Sequence, residues 1–299
     1  MTEAESAPAG RLAPPGDPQR GGSTPYVDPA RVAYRRRHAV RSAAIGILSL
    51  LVTTAIVVAV VVRTPGWPAV QETFFNPEEF ASSFPELLEA FWLNIRIFLI
   101  AEPLILIVGL SVALVRRLRN PLFLPLRLLA TVYVDVFRGV PTLLVILLLG
   151  FGVPALGLQG APDDVLVWGI VALVLSYGAY VAEVFRAGID SVPPSQRMAA
   201  RSLGLSEWQT NRYVVLPQAV RNVTPPLLND FISLQKDTAL VSVLGPIEVL
   251  RQAQIDASFN FNYTPYVAAA CLFIALTIPM TRFADWLQAR QRRQRGAGA

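Results

Sequence analysis

Lys236 and Asp237 stand side by side in a stretch that also holds Asn229, Asp230, Ser233, Gln235, Thr238 and Ser242, between two strongly apolar runs. Read as a helix, Asn229, Ser233 and Lys236 recur at i, i+4 and i+7 and share one face. Asp230 and Asp237, seven apart, form an adjacent stripe. A span this polar must turn that side to water or protein rather than lipid. The chemistry on offer is recognition of a polar solute by charge and hydrogen bonding. Two readings follow: these groups line or brace a translocation pathway, or they bond a neighbouring helix or partner subunit for structure alone.

Glu102, followed by Pro103, falls near the middle of another apolar run. A carboxylate at that depth suits a substrate ammonium group. It equally suits a protonated acid bonded to a backbone group that Pro103 leaves free. Glu102, Asn229, Ser233, Lys236 and Asp237 are therefore the candidate pathway or substrate residues.

The composition excludes several other chemistries. His38 is the only histidine, which removes histidine-cluster metal sites and a Ser-His-Asp triad. The single cysteine, Cys271, allows no disulfide or cysteine-based metal site within one chain. Lys236 is the only lysine and follows Gln235, so there is no G-x-x-x-x-G-K-[ST] phosphate loop. No catalytic residue, metal site or cofactor site is expected. If transport is driven by ATP, the ATPase is another chain.

The longest polar, helix-forming run between two apolar spans is SQRMAARSLGLSEWQTNRYVVLP, Ser195 to Pro217. Gly204 fits the position just past a helix end, where φ > 0 costs a residue without Cβ little. Ser206 and Gln209 have the spacing of a capping box, N-cap and N3. Pro217 suits the first turn of a further helix, where its missing N–H is not needed. The run is expected to form a short helix, a turn, a second short helix, and then the entry into the next span.

This grammar resembles the Glu-Ala-Ala loop of bacterial ABC-importer permeases, in which Glu-Ala-Ala is followed after three residues by Gly, nine residues on by Ile, and then by Leu-Pro. The match lies at Ala199, Ala200, Gly204, Leu216 and Pro217, with Val214 where Ile is usual and Met198 where Glu is usual. In that family the loop is the cytoplasmic coupling element that docks on the ATP-hydrolysing subunit. Met198 takes away the usual charged contact at its position. The phrases VDVFRGVPTLLVILLLGFG, SYGAYVAEVFRAGIDSVPPSQ and ISLQKDTALVSVLGPIEVLRQAQ look like those of polar amino-acid permeases in the same family.

The resemblance implies an all-α membrane protein of the ABC type-1 importer class, with a five-helix core and one added N-terminal helix. It implies a second permease subunit, identical or a sister chain, and an ABC ATPase subunit carrying ATP and Mg. It also implies an extracytoplasmic solute-binding protein that delivers an amino acid.

The elements that must position these residues follow from hydropathy and charge. The chain is 53% hydrophobic and 16% charged, with mean hydropathy +0.46. Several long apolar runs make it a multi-span membrane protein. The net charge of +5 does not signal nucleic-acid binding, because the arginines cluster at span ends, where they set orientation.

Residues 1–42 read as a disordered basic tail and 43–63 as an extra span. A cleaved signal peptide is the competing reading. That apolar run is too long for one, and no clear small-x-small site follows it. Residues 64–90 read as external, with Asn76 to Leu88 forming a short surface helix. The permease domain is expected over 91–289, with spans near 92–115, 126–150, 165–187, 224–244 and 265–287 and the coupling loop at 193–217. Residues 245–263 read as external and 290–299 as a cytoplasmic tail.

Arg116, Arg117, Arg119, Arg197, Arg201, Arg212 and Arg290 fall on the same side as the N-terminal cluster. Six spans with both termini in the cytoplasm of a bacterial cell membrane result. Gly139 and Pro141 are expected to break or kink the third span. Asp135 with Arg138, and Glu183 with Arg186, are spaced for i, i+3 ion pairs at a boundary. Two function classes remain: the permease subunit of an ATP-driven amino-acid importer, and a self-sufficient secondary transporter or channel for a small polar solute. No internal repeat supports the second.

Overall fold

The computed structural model describes residues 29–118 and 120–296, which form helices and the turns between them, with no strand. Of the expected disordered tail, residues 1–28 lie outside the described residues. Residues 29–62 are one helix, α1 (Pro29–Val62), so it starts well before the expected Ala43. Alanine and arginine are strong helix formers, and the basic segment simply continues the apolar run. This helix belongs to a compact unit that ends at Trp67.

The second unit, from Pro68 onward, contains α2 (Trp67–Phe74) but for its first residue, then α3 (Pro77–Val115), α4 (Leu124–Gly139), α5 (Thr142–Ala155), α6 (Val165–Asp190) and α7 (Pro194–Ser202). It continues with α8 (Glu207–Thr210), α9 (Leu216–Asp237), α10 (Val249–Asn260) and α11 (Thr264–Gly296).

α3 corrects the expectation of a surface helix followed by a separate span. It runs unbroken for 39 residues through both Pro85 and Pro103. Asn76 caps it, accepting from the amides of Glu78 at 2.9 Å and Glu79 at 3.3 Å, and both glutamates complement the helix dipole. A helix-interior proline costs about 3 kcal/mol. Against that, Leu87, Phe91, Asn94, Ile97, Ala101, Ile105, Gly109 and Ala113 form one buried stripe along the whole length. Burial of that stripe, at roughly 1.5–3 kcal/mol per large apolar side chain, outweighs two prolines.

α6 is the central helix, packing against α3, α4, α5 and α9. Its buried residues include Gly169, Ala172, Ser176, Gly178, Ala179, Ala182 and Gly188, which let neighbouring backbones approach closely. A Cβ at Gly188 would lie 2.1 Å from Val223 Cγ1 of α9. From the other side, a Cβ at Gly109 of α3 would lie 2.5 Å from Val181 Cγ1.

α4 and α5 meet at a bend of 108° across Gly139–Pro141. Val140 is extended, at φ −102° and ψ 133°, because Pro141 disfavours helical geometry in the residue before it. The expected break is therefore present, and it is sharp.

Among the described residues, by length and composition, α3, α6, α11 and the Arg41–Val62 part of α1 can cross a membrane, and the bent α4–α5 pair makes a fifth candidate. The stretch expected as a span over 224–244 has a different form. Its helix starts back at Leu216, runs through Pro225 and Pro226, and ends at Asp237. Thr238–Leu244 then tightens into a 3-10 helix that stops at Gly245 with φ 110°. The segment 245–263, expected to be external, carries α10.

Candidate functional site

The loop between α6 and α9 follows its local grammar closely. The Leu205 amide donates to the Ala200 carbonyl at 3.2 Å, and the Gly204 amide donates to the Arg201 carbonyl at 3.0 Å. These are the two bonds of a Schellman motif, and Gly204 takes the left-handed position at φ 83°. Ser206 Oγ accepts from the Gln209 amide at 3.2 Å, while Gln209 Oε1 accepts from the Ser206 amide at 2.8 Å. That reciprocal pair is the expected capping box.

Pro217 lies in the first turn of α9 as expected, but no break separates that helix from α8. Asn211–Val215 widens into a π turn, in which the Leu216 amide reaches back to the Asn211 carbonyl. Pro217 has no N–H to offer and its ring crowds the carbonyl four residues back, so a wider turn accommodates it without ending the helix.

Ala200 and Val215 are buried and pin the loop inward. Ala199, Gly204, Leu216 and Pro217 are exposed, and Val214 is half-buried. Met198, Leu203, Trp208 and Tyr213 are also exposed, which gives the outer side of the loop an apolar surface. Such a surface is typical of a site that another protein covers.

A charge ladder stands at the mouth of this loop. Arg116 Nη1 at the end of α3 bonds Glu183 Oε2 of α6 at 2.9 Å. Glu183 also pairs with Arg186. Arg186 Nη1 reaches Asp190 Oδ2 at 2.9 Å, and Asp190 Oδ1 takes Arg117 Nη1 at 2.8 Å. The expected Glu183–Arg186 pair is thus one rung of a larger network. Among the described residues the expected Asp135–Arg138 pair does not form. Arg138 instead lies 5.7 Å from the centre of the Tyr180 ring, whose hydroxyl donates to the Arg138 carbonyl at 3.3 Å.

The polar face of α9 divides into wet and braced members. Asn229 and Lys236 are exposed, while Ser233 and Asp237 are half-buried. Asp237 Oδ2 accepts from the Tyr177 hydroxyl of α6 at 2.7 Å. A hydrogen bond to a charged acceptor is worth about 1.5–3 kcal/mol, so this contact ties α9 to α6. Glu102 is half-buried on α3.

A second polar cluster escaped the reading of the sequence. Asn94 Nδ2 donates to Glu248 Oε2 at 2.7 Å and to Thr238 Oγ1 at 3.1 Å. Asn94 Oδ1 accepts from the Val249 amide at 3.1 Å, and Glu248 Oε1 accepts from the Arg251 amide at 2.8 Å. All three side chains are buried. Nearby, the buried Gln235 accepts from Thr277 of α11 at 3.0 Å. The only signal in the sequence was an asparagine and a glutamate each set in an apolar phrase.

The described residues thus form an all-helical domain with a capped, exposed loop and a helix with a polar face. The chain belongs to the family described as binding-protein-dependent transport system inner membrane component, which matches residues 105–293. It is a multi-pass membrane protein.

Among its relatives is the probable amino-acid permease protein YxeN of Bacillus subtilis, 37% identical over 198 residues, covering 66% of this chain and 87% of the relative. The putative glutamine transport system permease protein GlnP of Rickettsia conorii is 34% identical over 193 residues, covering 64% and 86%. A solved structure, described as an amino acid ABC transporter with histidines, superposes with a TM-score of 0.63 at 34% identity, covering 69% of this chain and 94% of the other.

Proposed function

We propose that this chain is the membrane-spanning permease subunit of an ATP-driven importer for an amino acid. The observation that carries the reading is the family match over 105–293, which encloses a loop with both the Schellman motif and the capping box. The relatives named for amino-acid and glutamine transport support the substrate class.

In this reading the spans number six, with α9 and the 3-10 turn after it forming the polar one, and both termini lie in the cytoplasm of a bacterial cell. The 193–217 loop is the coupling element. Its exposed apolar residues on and just after α7, Met198 and Leu203, seat on an ABC ATPase subunit, which holds ATP and Mg. A second permease subunit, identical or a sister chain, completes the passage, and an extracytoplasmic binding protein delivers the solute. This chain supplies no catalytic residue.

The mechanism is alternating access. ATP closes the ATPase pair, the coupling loops move with it, and the spans tilt to open outward. Hydrolysis restores the inward-open state. A nucleotide shifts this equilibrium only by its different affinity for the two states, so the docking of the loop must differ between them. Glu102, Asn229, Ser233, Lys236 and Asp237 are proposed to meet or brace the solute along the passage.

The test is co-purification of the chain with its ATPase and binding protein, followed by ATP hydrolysis measured across the amino acids. Stimulation by one amino acid or a few related ones supports the reading. Uptake into vesicles that proceeds without ATP or any ATPase subunit would favour a self-sufficient transporter.

A further inference from the structure

The ends of α3 and α6 meet α7, α8 and the start of α9 around a cavity of about 480 Å³. Arg117, Arg197 and Arg212 line it, against one carboxylate, Glu207. Arg117 gives one N–H to Asp190, and Arg197 gives one to the Ile189 carbonyl. A guanidinium carries five donors, so both keep several unspent. Arg212 is exposed and, among the described residues, joins no ion pair.

Apart from Asn211, the rest of the wall is apolar. Leu114 and Leu216 line the cavity and are also exposed at the surface beside it. Trp208, 68% exposed, closes another side with a ring suited to the membrane–water boundary.

The position of the cavity in the fold matters as much as its lining. The apolar run of α3 ends at Val115, directly before Arg116 and Arg117, so the cavity lies where the spans leave hydrocarbon. A small soluble anion has no use for leucine walls, and an apolar ligand has none for three arginines. An amphiphile with an anionic head matches both. Guanidinium groups bind phosphate oxygens in a bidentate fork, which lysine does less well.

We infer that this cavity holds the phosphate head group of an anionic phospholipid, with its chains running outward past Leu114 and Leu216. The lipid then braces α3 and α6 against the start of α9 at the root of the loop. The inference rests on the chain spanning a bilayer, which the family establishes, and not on which solute is carried.

The test uses the purified full chain, with lipid retention followed by native mass spectrometry in phosphatidylglycerol and in phosphatidylcholine. The chain is expected to retain phosphatidylglycerol selectively. The double variant Arg197→Gln/Arg212→Gln is expected to lose about twenty-five-fold in that retention, from roughly fivefold per interfacial arginine. Arg197→Lys/Arg212→Lys should keep part of it. Equal retention of both lipids, or unchanged retention in the glutamine variant, overturns the inference.

A second readout needs no variant of the arginines. The Trp208 emission, taken as the difference from Trp208→Phe, is expected to shift with phosphatidylglycerol vesicles and not with inorganic phosphate. The same shift with inorganic phosphate would make this a soluble-anion site and sink the lipid reading. Exclusion of the lipid when the ATPase subunit binds would make the cavity part of a protein interface, with the same consequence. Absence of ATP-dependent uptake by the natural complex, with lipid selectivity intact, counts against the importer reading alone.

Discussion

Glu183 of α6 and Arg116 of α3 meet at 2.9 Å, one turn or two before α6 gives way to the loop that ends at Pro217. The contact joins the helix leading into that loop to the helix that carries Glu102. Arg186, Asp190 and Arg117 extend it into a ladder of alternating charge. The ladder thereby ties the root of the loop to the end of α3.

Removing the shared carboxylate leaves two arginines facing each other with Asp190 alone to balance them. Glu183→Gln is expected to cost about 1–3 kcal/mol, below the value for a fully buried pair because both side chains retain some solvent contact. Thermal unfolding of the purified chain should show a lower midpoint. Glu183→Asp should fall between the variant and the natural protein.

Close approach of α6 and α9 depends on Gly188. A methyl group there would meet Val223 Cγ1 at 2.1 Å. Gly188→Ala is expected to destabilise by about 1–3 kcal/mol through overpacking. Adding Val223→Ala should recover much of that loss, and a double-mutant cycle reads the coupling. Additive losses would mean that the two positions do not share the strain.

Gly204 isolates a backbone effect, because nothing lies within 4 Å of the place a Cβ would occupy. Its φ of 83° costs an L side chain about 1–2 kcal/mol. Gly204→Ala should loosen the turn between α7 and α8, seen as faster protease cleavage there, with little change in the global thermal midpoint. Gly204→Asn should be milder, since asparagine tolerates the left-handed region.

Asp256 of α10 offers a pH-dependent test. Burial chiefly pushes its carboxyl above the usual range, a hydrogen bond from Gln252 pulls it back, and Glu86 and Glu79 add to the rise. A carboxyl whose folded pKa is raised binds its proton more tightly when folded. The protein then loses stability as pH climbs from the ordinary carboxyl value, about 4, through the raised folded value. Asp256→Asn is expected to raise the thermal midpoint at pH 7 and to give no gain at pH about 3.

What could be read from residues alone was what is decided within a few positions. The Schellman turn at Gly204, the box at Ser206 and Gln209 and the break at Gly139–Pro141 are all local events. α3 reads as two helices because the amphipathic pattern up to Leu88 gives way to an apolar run from Trp92, whereas one buried stripe carries a single helix through both. Pro217 marks the first turn of α9 as its type suggests, but nothing in the sequence shows that the helix before it runs on through a π turn. The Asn94–Glu248 contact joins residues 154 apart, beyond the reach of any spacing rule. Lys236 and Asp237 were found by their cost in an apolar setting, but only the fold shows that Asp237 is held by Tyr177 while Lys236 is free to face outward.

The central claim, that the 193–217 loop faces the compartment of an ATPase, is tested most directly by thiol labelling of Ser206→Cys in a Cys271→Ser background. In sealed cells a membrane-impermeant maleimide should leave position 206 unlabelled, and opening the cells should expose it to full reaction. Labelling of that position in intact cells would contradict the account.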